Sequence, residues 1–158
     1  MPETIRIYEV GPRDGLQNES GIVPTATKAR FIELLADAGL REIEATSFVS
    51  PSAIPQLADA DELMGAIARR LGVRYPVLVP NERGMARAEA AGADALAVFT
   101  AATDAFTQAN IGMTVDASLA AFAPVLARAA TSRARPHGRG PVGTRPATRP
   151  PSSRCWAR

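Results

Sequence analysis

The sequence contains one cysteine and one histidine among 158 residues. A single thiol cannot form an intramolecular disulfide, and Cys155 with His137 cannot make a zinc-type ligand cluster. The absence of a disulfide framework fits a cytoplasmic protein. No apolar run approaches the ~18–20 residues needed to cross a bilayer, so no membrane partner is expected. Met1-Pro2-Glu3-Thr4 has neither a basic n-region nor an apolar h-region, so no signal peptide is expected either. Aromatic residues make up 5% of the chain.

Acidic residues are missing from the last part of the chain. Residues 1–130 hold all 16 of them and 11 of the 18 basic residues, a balance of −5. Residues 131–158 hold seven arginines and no acid. The sequence pI of 9.2 therefore describes a mildly acidic body with a basic tail. That tail has Trp156 as its only aromatic residue of the stacking type, which argues against a nucleic-acid partner. It is rich in Arg, Pro and Gly, and cannot bury enough apolar surface to offset the entropy of ordering. We expect residues 131–158 to be disordered, and attribute them to out-of-frame translation of a GC-rich gene or a gene-prediction artefact. His137, in this setting, is a bystander.

The body is organised around Glu9-Val10-Gly11-Pro12-Arg13-Asp14-Gly15-Leu16-Gln17-Asn18-Glu19. A β-branched, alternating run over 5–10 predicts a strand, and Gly11-Pro12 stops it. Arginine beside a carboxylate then sits at a strand end, where parallel α/β proteins place their sites. The pairing points to anion recognition beside a metal ligand. Downstream, Thr25 or Thr27 could cap a helix whose stripe is Phe31, Leu34, Leu35 and Ala38, ended by Gly39. Residues 41–46 predict a second strand and 47–51 a loop. A helix is expected over 57–71, with Leu63, Ile67 and Leu71 on one stripe and Gly72 closing it. Residues 74–79 predict a strand buried on both faces. A short helix over 82–91 and a strand over 94–99 follow. Residues 100–112 predict a polar loop. A last helix, capped by Thr114 or Asp116, should run to about Ala130 through Leu119, Phe122, Val125 and Leu126, with Pro124 kinking it or marking its first turn.

Strands alternating with helices four times argue for a parallel sheet with right-handed crossovers. Pattern alone leaves a doubly wound sheet and half of a barrel both open.

Gly11-Pro12-Arg13-Asp14-Gly15-Leu16-Gln17-Asn18-Glu19 resembles the first-strand motif of the hydroxymethylglutaryl-CoA lyase family, metal-dependent enzymes built on a TIM barrel. Ile43-Glu44-Ala45-Thr46-Ser47-Phe48-Val49-Ser50-Pro51 is similar to the family's second-strand end, and Pro76-Val77-Leu78-Val79-Pro80-Asn81-Glu82-Arg83-Gly84 to its third. The resemblance runs from about residue 5 to about 130. It implies an incomplete TIM (β/α)8 barrel of about four β-α units over 1–130, since eight units need ~250 residues. It also implies cleavage of (S)-3-hydroxy-3-methylglutaryl-CoA to acetyl-CoA and acetoacetate, as in leucine catabolism, with an acyl-CoA substrate and a homodimer for the full-length family.

On this resemblance Asp14 is a ligand for Mg²⁺ or Mn²⁺, against the plainer reading of a turn aspartate. Arg13 faces the substrate carbonyl and stabilises the developing enolate, against a surface arginine. Glu44 is an active-site carboxylate partnered by Arg13, against an outward strand residue. Gln17 orients the metal-site residues, against a solvated loop glutamine. Ser47 and Asn81 shape substrate contacts. The family's His-x-His pair, its later asparagine and its mobile-loop cysteine have no counterpart here, and Cys155 inherits no role. The metal site is therefore incomplete, and the chain is expected to be inactive alone. Three alternatives are a condensing enzyme of the isopropylmalate- or citramalate-synthase type, whose motif opens with Thr-Leu rather than Gly11-Pro12, a non-catalytic fragment, and, with least support, a nucleic-acid-associated protein acting through the arginine tail.

Overall fold

The computed structural model describes residues 5–132. The expected tail, with His137 and Cys155, lies outside the described residues from 133 onward. The chain falls into two compact units, Met1–Val98 and Phe99–Arg158.

The first unit alternates strand and helix, as the sequence pattern predicts. β1 is Tyr8–Glu9, α1 Thr25–Asp37, β2 Glu42–Ile43, β3 Thr46–Ser47, α2 Ala60–Ala66, β4 Val77–Leu78, α3 Glu82–Ala90 and β5 Leu96–Ala97. All pairings are parallel: β1 with β2 (Tyr8 opposite Glu42), β3 with β4 (Thr46 opposite Val77) and β4 with β5 (Val77 opposite Leu96). They form two small sheets, β1-β2 and β3-β4-β5, each in chain order, with Glu42 bridged to Arg74 between them. Among the described residues the strands do not close into a barrel, and the outer edges of β1 and β5 are unpaired.

The expected second strand is split in two. Ile43 N donates to Arg74 O and Ala45 N to Pro76 O, but the next bond joins Phe48 N to Leu78 O. Three residues on one side thus answer two on the other. This bulge interrupts the ladder beside Glu44, and such bulges re-aim side chains near sites. It also makes Ser47 the end of a strand rather than the start of a loop.

Ile32, Ile43, Leu57, Leu63, Val77, Val79 and Met85 form the apolar core of this unit. The buried stripe of α1 is Lys28, Ala29, Ile32 and Ala36, not the expected Phe31, Leu34, Leu35 and Ala38; Leu34 is exposed. A lysine at the start of the buried face hid it from a hydrophobic pattern. Thr25 is the first helical residue rather than a cap, with Pro24 before it. The Thr25 hydroxyl instead donates to Asp59 Oδ2 at 2.8 Å. Gly39 follows α1 with φ +97°, the left-handed conformation that favours glycine at a helix end.

α2 is shorter than expected, beginning at Ala60 after a 3-10 turn over Pro55–Leu57 and ending at Ala66. Leu63 and Ile67 are buried but Leu71 is fully exposed. Arg69 donates to Gly92 O and Arg70 pairs with Asp37. These tertiary bonds hold the segment after Ile67 outside the helix. At Gly84 in α3, a Cβ would stand 2.7 Å from the Phe48 carbonyl oxygen. Glycine is needed there for close approach of helix and strand end.

In the second unit, the expected polar loop over 100–112 is in fact a helix, α4 Asp104–Ile111, ended by Gly112 at φ +69°. Its buried Thr107 turns its hydroxyl onto the Thr103 and Asp104 carbonyls, so a polar residue is satisfied within the helix. α5 spans Val115–Ser132, two residues into the stretch expected to be disordered. Thr114 Oγ1 accepts from Ala117 N at 3.2 Å, so the expected cap is present. Ser118, Phe122 and Val125 are buried, whereas Leu119 and Leu126 are exposed. Pro124 lies in the helix interior, not its first turn. No single helix among the described residues is long and apolar enough to cross a membrane.

Candidate active site

β1 runs straight into a wide helical turn, Gly11–Gly15. Pro12 opens it, where a missing N–H leaves no bond unmade. The Val10 carbonyl accepts from the amides of Arg13 (3.1 Å), Asp14 (2.7 Å) and Gly15 (3.5 Å). Glu9 Oε1 takes the Gly11 amide at 2.6 Å, and Asn18 Nδ2 donates to the Asp14 carbonyl at 2.6 Å. Both flanks of the turn are thereby tied, and the backbone of the charged pair is fixed at the C-terminal end of β1.

Arg13 links two carboxylates. Its Nε donates to Glu44 Oε1 at 2.5 Å and its terminal nitrogen to Asp14 Oδ1 at 2.8 Å. Gln17 Nε2 reaches the same Asp14 oxygen at 3.1 Å. Glu44 is 3% exposed, whereas the Asp14 side chain is 49% exposed. The two ion pairs therefore differ in kind. Removing one partner of the buried pair strands a charge, while the open pair is weak. Glu44 is positioned by the bulge and by its own amide, which donates to Glu9 O at 2.8 Å.

Arg13, Asp14, Gln17 and Glu44 thus form one bonded group. Ser47 and Asn81 make their bonds elsewhere. Ser47 is buried, with its hydroxyl donating to Leu78 O and accepting from Val49 N, both at 3.3 Å. Asn81 Oδ1 caps α3 by accepting from Gly84 N at 2.9 Å.

Three contributors escaped the sequence reading. Asn18 and Glu9 brace the turn, and the motif's own polar residues could have signalled them. Tyr8 is the third. It lies opposite Glu42, and Glu44, two residues on, shares that face. Partial burial, and then the neighbouring Glu44 carboxylate, raise the Tyr8 phenol above its ordinary pKa. The unfolded chain would ionise first in alkali, so the sign is set: stability is retained below about pH 10 and declines above it. We expect Tyr8→Phe to flatten that decline. Urea midpoints across the alkaline range check it, and an unchanged slope would refute it.

Hard divalent cations take six or more oxygen ligands. Both bonds to the Asp14 carboxylate fall on Oδ1, and its other oxygen has no hydrogen bond among the described residues. Asp14 therefore fits as one ligand. No group of three or more His, Cys, Asp or Glu residues gathers to hold a metal among the described residues, so the donors present fit one side of such a site only.

A parallel β-α unit with an arginine-carboxylate group at its strand ends defines an α/β protein with its candidate site at the C-terminal edge of the sheet. The chain belongs to the HMGL-like family, whose model matches residues 4–143, thirteen residues beyond the expected limit of the resemblance. It is 52% identical to bovine (Bos taurus) mitochondrial hydroxymethylglutaryl-CoA lyase over 132 residues, covering 82% of this chain and 41% of that protein. The crystal structure of hydroxymethylglutaryl-CoA lyase from Pseudomonas aeruginosa superposes with a TM-score of 0.80 at 45% identity, over 85% of this chain and 45% of the other. The HMG-CoA lyase from Acinetobacter baumannii, solved with coenzyme A and 3-methylmalate, gives 0.73 at 41% identity, over 78% and 40%. The chain spans less than half the length of these relatives.

Proposed function

We propose that this chain carries the substrate-anchoring edge of a carbon–carbon lyase that cleaves (S)-3-hydroxy-3-methylglutaryl-CoA to acetyl-CoA and acetoacetate, a step of leucine catabolism. The observation that carries the reading is Arg13, held between buried Glu44 and open Asp14 at the C-terminal end of β1. Breaking the carbon–carbon bond leaves an electron pair on the acetyl-CoA carbon as a thioester enolate. The hydroxyl oxygen becomes the acetoacetate ketone as its proton departs, and the enolate carbon later takes up a proton. Arg13 would face the enolate oxygen, a fixed cation aimed where charge develops. Glu44 sets the plane of that guanidinium, and Gln17 orients Asp14. A divalent cation, Mg²⁺ or Mn²⁺, would polarise the hydroxyl and carbonyl oxygens, with Asp14 as one ligand. Ser47 and Asn81 would shape the walls through the strand ends they hold.

On the same reading, residues 1–130 are about four β-α units of an eightfold barrel and 131–158 a separate tail. The acyl-CoA partner is supported by the coenzyme A-bound relative. A homodimer belongs to the full-length protein, and a cytoplasmic location rests on the lone Cys155.

One metal ligand cannot hold the cation, so the 158-residue chain given substrate and Mn²⁺ should release no acetoacetate. A longer protein containing these residues should turn over, and its Asp14→Ala variant should lose about 10²-fold or more in kcat. Full activity in that variant would refute the assignment.

A further inference from the structure

At the N-terminal ends of the strands, the end remote from Arg13, a concavity of about 510 Å³ opens between the entries to β1, β2 and β4. Ile5, Ile7 and Leu40 form its apolar side, and Arg6, Arg41 and Arg74 its basic side. Its volume falls within the range of small-molecule sites.

We propose that this concavity binds an amphipathic oxyanion, an apolar chain ending in a carboxylate. The charges are not mutually satisfied. Among the described residues Glu42 is the only acid lining the space, and it is taken by Arg74 at 3.2 Å. The Arg6 and Arg41 side chains make no hydrogen bond or ion pair among the described residues, so two guanidinium forks remain open. Each matches a carboxylate in a planar, two-bond geometry. Beside them, Ile5 is 87% and Ile7 62% exposed. Isoleucines so open beside unpaired arginines supply the two halves of one amphipathic ligand. The walls are fixed, because Arg74 N donates to Arg41 O at 2.8 Å. Gly39 (φ +97°) and Gly72 (φ +78°) also line the space. The inference does not depend on the lyase reading, since it uses none of the residues of that site.

The test is an amide NMR titration of the 158-residue chain with octanoate. Saturable shifts at Gly39, Leu40 and Gly72, with none at Gly15 or Gln17, are expected. Arg6→Gln with Arg41→Gln should weaken binding at least about tenfold without lowering the melting temperature, and inorganic phosphate should not displace octanoate. If the double variant misfolds, Ile5→Ser with Ile7→Ser tests the apolar half with both arginines in place, and should weaken binding as well. Absent shifts at Gly39 and Gly72, shifts confined to the tail arginines of 131–158, unaltered affinity in the variants, or displacement by phosphate would each overturn the proposal.

Discussion

Asp59→Ala is expected to destabilise the protein by about 3–5 kcal/mol, the usual cost of leaving a buried charge without its partner. The stranded charge is Lys28, 1% exposed on the core face of α1. Its ammonium donates to Asp59 Oδ1 at 2.6 Å and to the Gln56 carbonyl at 2.5 Å. Thr25 completes the arrangement through Asp59 Oδ2. The carbonyl alone cannot neutralise the ammonium. Such a loss is a large fraction of the ~5–15 kcal/mol that stabilises a domain. Adding Lys28→Met should restore most of it, because an apolar side chain of similar length can replace the pair at little cost. Urea midpoints of the single and double variants decide the matter. A single variant within 1 kcal/mol of the parent would show that Lys28 finds another partner or reaches solvent.

Arg13→Met should cost a similar amount, about 3–5 kcal/mol, because it strands Glu44 rather than a surface acid. Asp14→Ala, by contrast, removes only the open half of the group and should cost under about 1 kcal/mol. The two substitutions separate stability from chemistry. Arg13 ties the buried Glu44 into the group, whereas Asp14 is half exposed and contributes little to folding. Combining Arg13→Met with Glu44→Gln should recover much of the loss, since the buried group is then uncharged. Equal destabilisation by Arg13→Met and Asp14→Ala, measured by thermal and urea unfolding, would contradict this division of labour.

The interplay of helices and strand ends gives the candidate site its rigidity. Arg87 of α3 stacks on Phe48, 5.3 Å from the ring centroid, donates to the Val49 carbonyl and pairs with Asp61. Gly84 lets the same helix approach the Phe48 carbonyl. The segment after Ser47 is thus held from behind by a helix whose N-terminus is capped by Asn81. Ser47 and Asn81, read from the sequence as wall-shaping residues, make their observed bonds to backbone atoms of this framework.

The alternation of strand and helix, the parallel order of the strands and the place of the arginine-carboxylate motif at a strand end were all legible in the residues. Each depends on local signals: β-branched alternation, glycines after helices, and Gly-Pro closing a strand. The mouth of the site follows from these through topology alone. Contacts distant in sequence were legible only where the chemistry of a charge named its partner. Arg13 meets Glu44, and Lys28 meets Asp59, each across 31 residues. The sequence reading named Arg13 as the natural partner of Glu44, but a lysine on the buried face of α1 contradicts any apolar pattern. The helix over Asp104–Ile111 was missed because its polar residues favour loops unless their side chains bond within the helix, as Thr107 does. The bulge beside Glu44 has no local signature at all, because register is set by both strands together. Local chemistry in the sequence determined which elements form and where the reactive residues cluster. Only the tertiary structure decided which charges are buried, since burial depends on what other segments bring to each side chain.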